Sequence, residues 1–213
     1  MMNAYDSSLV YNAQTRMGWM LDFAVNVYRY ELEKFYRMFL KSDISRKFAL
    51  GSSSVLEGKS GRELAYLVLE DEGYEGDIIR AERYIERSEE YWTGWVLAYF
   101  QWETALSFRE IEDVCSISEI RQMYSPYHEM DISQFCIKMR EMYMDRNPDT
   151  QLKKIRKLAG YSQKYLSERT GIPLKTIQQY EQRQKNINHA RVDYLMLLSR
   201  ELSCEVEALV EKI

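Results

Sequence analysis

Lys175, Gln178, Gln179 and Gln182 follow Leu174 by one, four, five and eight residues. At 3.6 residues per turn this spacing puts all five on one face of a helix. A glutamine amide matches an adenine edge, a lysine ammonium reaches guanine, and an apolar side chain touches a thymine methyl. Each such contact discriminates by about 1–3 kcal/mol. The face therefore suits duplex DNA, whose major groove admits one helix. A surface helix with merely solvated glutamines is the competing reading of these residues alone.

Holding such a face out requires a scaffold, and the residues before it supply one. Ser162 stands where a helix N-cap belongs, its hydroxyl able to accept a backbone N–H. The helix it opens carries Tyr165 and Leu166 as an apolar pair, with Arg169 following. Thr170-Gly171 ends that helix, because glycine tolerates the left-handed backbone of a tight turn. Ile172 then packs back, and Pro173 starts the next helix, where its missing N–H costs little. Ile177 and Tyr180 face inward on that helix, which leaves the glutamine-rich face outward.

Several pieces match a known pattern: Leu152-Lys153-Lys154-Ile155-Arg156, Ser162-Gln163, Leu166, Gly171-Ile172, Thr176-Ile177, Tyr180-Glu181, Leu198, Leu202 and Val206-Glu207-Ala208-Leu209. On these, residues 152 to about 209 resemble the Cro/repressor-type (XRE) helix-turn-helix family. The resemblance implies a five-helix bundle in which Gln163 contacts phosphate and Leu174, Lys175, Gln178 and Gln179 meet bases. Lys164, Thr176, Gln182 and Arg183 complete the expected DNA-binding set. Lys153, Lys154, Arg156 and Lys157 are, with Lys164 and Arg183, candidates for phosphate contact, which positions a protein without reading sequence. Two departures stand out. Pro173 replaces the usual small polar cap, removing one phosphate-binding hydroxyl. Arg183 replaces the common glycine after the recognition helix, and the loop 182–191 is longer than usual.

Charge is distributed to match. The chain has net charge -4, but from Pro148 onward there are 12 basic and 8 acidic residues, leaving -8 on the remainder. Within 151–185 the count is 9 basic against 2 acidic. A basic patch on an acidic body marks a module that meets phosphate on one face only.

The 213 residues are enough for one large or two ordinary domains, and scarce glycine (9) and proline (3) favour helices with short connections. The expected fold is all-α, with an N-terminal helical domain at 1–147 for dimerisation or partner binding and a helix-turn-helix domain at 148–213. Apolar residues recur at helical spacing over Ser7–Tyr30 and again over Tyr30–Leu40. Asp43 is the expected cap of a short helix to Leu50. Ser60 with Glu63 reads as a capping box for Gly61–Leu69. The loop Gly51–Gly58 lacks the phosphate-loop pattern, and the acidic turn Glu70–Asp77 lacks calcium-loop spacing. Ser88–Leu106, with Tyr91, Trp92, Trp95, Val96, Tyr99, Phe100 and Trp102, should be buried on most sides, and Gly94 would let a neighbouring helix approach closely. Short helices follow at Phe108–Val114 and Ser118–Tyr124, the second capped by Ser118. A last one opens at Asp131 or Ser133 and runs to about Met144. Asp145–Asp149 is the expected linker, since proline breaks the helix.

The segment Glu90–Trp102, followed by Ser107-Phe108-Arg109-Glu110-Ile111, resembles the N-terminal region of uncharacterised bacterial XRE-type regulators, some beside toxin-like genes. Cys115, Cys136 and Cys204 form neither a disulfide framework nor a metal spacing. Met1–Asp6 has no signal-peptide pattern and no apolar run reaches spanning length, so a cytoplasmic location is expected. The two histidines, His128 and His189, lack partners at ligand or nucleophile spacing. The sequence therefore points away from an enzyme, a cofactor, a metal or a membrane. It points to a sequence-specific DNA-binding regulator, a repressor acting as a homodimer on double-stranded DNA. The alternative is an antitoxin whose acidic N-terminal domain neutralises a protein partner while the helix-turn-helix autoregulates the operon.

Overall fold

The computed structural model describes residues 3–79 and 87–212, and contains no strand among them. The fold is all-α. It divides into two compact units, Met1–Tyr143 and Met144–Ile213. No helix among the described residues is long and apolar enough to cross a membrane.

The first unit opens with α1 (Val10–Asp22), which runs on through a π-helical turn at Phe23–Val27. Helix α2 (Leu32–Lys41) follows only after Arg29 takes a left-handed φ of 60°. The expected near-continuous helix is therefore split there. In the turn before the break, the Asn26 amide donates to Asp22 at 3.1 Å and to Glu90 at 3.2 Å. Burial raises the Asp22 carboxyl above its usual pKa, against the lowering effect of hydrogen bonds from Ser88 and Asn26. Next come α3 (Asp43–Ala49), α4 (Ser53–Leu56) and α5 (Gly61–Asp71). Asp43 is the first residue of α3 rather than its cap, and pairs with Arg46 and Lys47 at 2.7 Å each. Ser60 and Glu63 close the expected capping box at the start of α5.

Helix α6 (Glu89–Thr104) is the centre of this unit. It packs against α1 through two glycines. A Cβ on Gly94 would sit 2.5 Å from the Met17 carbonyl oxygen, and one on Gly18 would sit 2.9 Å from Tyr91. That closeness is what Gly94 signalled in the sequence. The expectation that α6 is buried on most sides holds, with one half-buried stripe along it. Tyr91, Val96, Leu97 and Phe100 are buried, but Trp92, Trp95, Tyr99 and Trp102 are half-buried. An indole has an apolar body and a polar N–H, so it suits a boundary position; that of Trp102 donates to the Tyr5 carbonyl at 2.9 Å. Deeper in, Phe39 and Phe48 meet Phe108 edge-on at 5.1 and 5.6 Å between centroids.

Three shorter helices follow: α7 (Phe108–Val114), α8 (Ile117–Gln122) and α9 (Tyr124–Tyr127). The cap of α8 is Ser116, in a capping box with Glu119, and not Ser118. The Ser-x-x-Glu pattern of α5 recurs here, two residues before the expected cap. Ser118 lies inside the helix and donates its hydroxyl to Glu33. Helix α10 (Ile132–Arg146) ends the series.

The second unit contains α11 (Gln151–Leu158), α12 (Gln163–Thr170), α13 (Leu174–Glu181), α14 (Val192–Glu201) and α15 (Val206–Leu209), with a 3-10 turn at Ile187–His189. Each helix places an apolar residue in one shared core of Leu152, Leu166, Ile177, Leu198 and Leu209, completed by Ile172, Tyr180, Ile187 and Leu202.

Candidate nucleic-acid interface

The turn between α12 and α13 is fastened by side chains of its own sequence. Ser162 caps α12 by accepting the Tyr165 N–H at 3.0 Å. Thr170 donates its hydroxyl to the Leu166 carbonyl at 2.7 Å and accepts the Ile172 N–H at 3.3 Å. Ser167 donates to the Ile172 carbonyl at 2.6 Å. Gly171 sits at φ 71°, the left-handed conformation the turn requires. Pro173 is the N-cap position of α13 and offers no side-chain cap, so the helix begins one residue later than expected, at Leu174. Leu166 is fully buried, but Tyr165 is 44% exposed and meets Tyr161 edge-on instead of joining the core.

Beneath this turn lies a buried polar hub that the sequence reading missed. Arg156 was expected among the phosphate contacts. It is instead turned inward, donating from Nε and Nη2 to the two carboxylate oxygens of Glu181 at 2.6 and 2.8 Å. Its Nη1 donates to the Tyr161 carbonyl at 2.5 Å. Gln163 adds its amide, donating to Glu181 at 2.8 Å. The hydrogen bonds of Glu181 hold the Arg156 guanidinium above its ordinary pKa. One carboxylate thus ties α11, the start of α12 and the end of α13 together. The signal was present: Arg156 follows Leu152 by four residues and Glu181 follows Ile177 by four, so both share a face with core residues.

The outward residues fall into two groups. Lys175 and Gln182 are exposed, while Leu174, Thr176, Gln178 and Gln179 on the same helix are half-buried. Lys164 is exposed, 3.9 Å from Glu168. The remaining expected cations are engaged within the unit. Lys153 and Lys157 flank Asp149 at 2.6 and 2.7 Å, and together hold its carboxyl down to a pKa of about 2. Lys154 donates to Asn147 at 3.3 Å. Arg183 occupies a left-handed position, φ 55°, which accounts for the glycine common there. Its guanidinium donates to the carbonyls of Pro148 and Asn147 at 2.9 Å each. Exposed ion pairs of the Lys–Asp149 kind are worth little and exchange readily for another anion.

A face of glutamine, lysine and leucine on a short helix, held off a small core by a fastened turn and an internal ion pair, can dock in a groove as a rigid body. No curated protein and no solved structure matches the chain. The family model described as helix-turn-helix matches residues 152–209. Residues 152–209 thus match a helix-turn-helix domain, in agreement with the expected XRE-type resemblance, and this supports a DNA-binding regulator.

Proposed function

We propose that the chain is a sequence-specific transcriptional repressor that binds a two-fold operator as a homodimer, with α13 in the major groove. The observation that carries this is the outward face of α13, with Lys175 and Gln182 exposed above the Arg156–Glu181 pair. Leu174, Lys175, Thr176, Gln178, Gln179 and Gln182 meet base edges or the adjoining backbone. Lys164 contacts phosphate at the flank; Gln163 does so through the amide N–H that Glu181 leaves over, and Arg183 by exchanging the Pro148 and Asn147 carbonyls for phosphate oxygens. Dimers of such domains read half-sites about one helical turn apart. Val192 and Met196, four residues apart on α14 and 70% and 45% exposed, are the apolar pair available to a second copy. The first unit serves dimerisation or partner binding.

Selection of bound sites from random DNA, followed by binding measurements on the selected site, tests this reading. Lys175→Ala with Gln179→Ala should abolish preference for the cognate site while weak nonspecific binding persists. Base contacts discriminate by about 1–3 kcal/mol each, so the pair accounts for a loss of roughly 30-fold or more. Equal loss on cognate and random DNA contradicts it.

A second reading is favoured by the -8 borne by the residues before Pro148. An acidic body attracts a basic protein partner, as in an antitoxin that neutralises a toxin and autoregulates its operon. Co-expression with the neighbouring open reading frame separates the two readings. Growth arrest relieved by residues 1–147 supports the antitoxin, and absence of toxicity supports the plain regulator.

A further inference from the structure

The first unit contains a cavity of about 460 Å³ that DNA binding does not use. That volume lies in the range of small-molecule sites, which are mostly apolar with a few placed polar groups. Its wall joins α6, the α9 turn and the start of α10, and is dominated by aromatic rings. Trp92 is held by edge contacts to Tyr124 at 5.6 Å and Phe135 at 5.8 Å, so the wall is preformed. Trp95, one turn along α6, is half-buried beside it.

The polar groups of this wall are unequally spent. The indole N–H groups of Trp92 and Trp95 and the Tyr127 hydroxyl make no hydrogen bond among the described residues. Arg87 lies over the Tyr91 ring at 5.0 Å and pairs with no carboxylate among the described residues. The acidic group of the lining, Asp131, accepts the Ser133 N–H at 2.9 Å through Oδ1 and keeps its charge. His128 is stacked on Tyr124, with its Nδ1 2.8 Å from the Tyr124 carbonyl. The cavity therefore offers a ligand three uncommitted donors and the Arg87 cation on the α6 side, with the Asp131 carboxylate at the start of α10.

We propose that this cavity binds a planar aromatic carboxylate. The ring packs on Trp92 and Trp95, and the carboxylate takes the Arg87 guanidinium, whose planar fork matches it in two parallel hydrogen bonds. An organic cation, the usual guest of aromatic cages, would meet Arg87 beside the rings, and Asp131 is the rival charge whose pull the cationic control reads. The proposal does not rest on the DNA-binding reading, because binding is measured directly on the protein.

Isothermal titration calorimetry and tryptophan fluorescence on the full chain test it, with benzoate, 1-naphthoate and indole-3-acetate as carboxylate probes. Indole and tryptamine are the uncharged and cationic controls. At least one carboxylate should bind saturably at one per chain, and indole-3-acetate should bind at least about tenfold more tightly than indole or tryptamine. Arg87 is exposed, so Arg87→Met should leave the melting temperature alone and bring indole-3-acetate down to the level of indole. Trp95→Leu should weaken every probe. No saturable carboxylate binding, tryptamine binding as tightly as indole-3-acetate, or an unchanged affinity in Arg87→Met would each overturn the proposal.

Discussion

Glu181 is the carboxylate through which three helices of the C-terminal unit meet. It is 5% exposed and satisfies both Arg156 and Gln163. Removing one member of a buried pair strands the other charge, at a cost of about 3–5 kcal/mol, whereas replacing both with apolar groups of similar size is often neutral. Glu181→Ala should therefore lower the stability of this unit by about 3–5 kcal/mol in urea denaturation. Arg156→Met with Glu181→Leu should recover most of that loss. A double variant as unstable as the single one would mean that the hub acts through packing alone. Asp149 makes a pH prediction of definite sign. Its carboxyl is depressed from 3.8 to about 2 by Lys153 and Lys157, so its stabilising effect is complete above the unfolded value. That effect is lost as pH falls from about 4 toward 2. The stability difference between wild type and Asp149→Asn should be constant above about pH 5 and shrink below 4. A difference that grows with acid would reverse the assignment.

At the scale of elements, the two units are built by different devices. Helices α1 and α6 approach because Gly18 and Gly94 carry no side chain where each faces the other helix. Gly94→Ala would put a methyl 2.5 Å from the Met17 carbonyl oxygen, a backbone atom that cannot rotate away. The helix-propensity gain of about 1 kcal/mol is then outweighed by overpacking, whose usual cost is about 1–3 kcal/mol. A lowered melting temperature is expected, and a raised one would show that the helices slide apart freely. The turn between α12 and α13 depends instead on local polar side chains, Ser162, Ser167 and Thr170, with Gly171 supplying the left-handed residue. That is why the turn was readable from a short stretch, whereas the split between α1 and α2 was not. The break at Arg29 follows a π-helical turn whose Asn26 bonds a glutamate 64 residues away.

For the whole molecule, the reading of a dimeric repressor rests on an apolar pair that its own unit leaves uncovered. Val192→Glu with Met196→Glu changes two exposed side chains, so the fold should persist. Sedimentation should then show a monomer, and operator affinity should fall while half-site preference survives. Unchanged sedimentation would move the dimer contact elsewhere, with the first unit the next place to look.

The last third of the chain was nearly complete in its sequence. Cap, turn glycine, inward Ile177 and Tyr180, and outward Lys175 and Gln182 all follow from helical periodicity and backbone conformation, which are local. The first two thirds announced most of its helices for the same reason, though not α4, which lies inside the expected loop Gly51–Gly58, and Gly94 marked a close approach without naming its partner. Which charges point in and which point out was decided only by tertiary structure. Arg156 reads as one of a row of basic residues until α13 brings Glu181 beneath it. Trp92 and Trp95 read as core until α9 and α10 close around them and leave a cavity. Helical period assigns a residue to a face; what that face meets depends on residues distant in sequence, and burial and pairing belong to both partners at once.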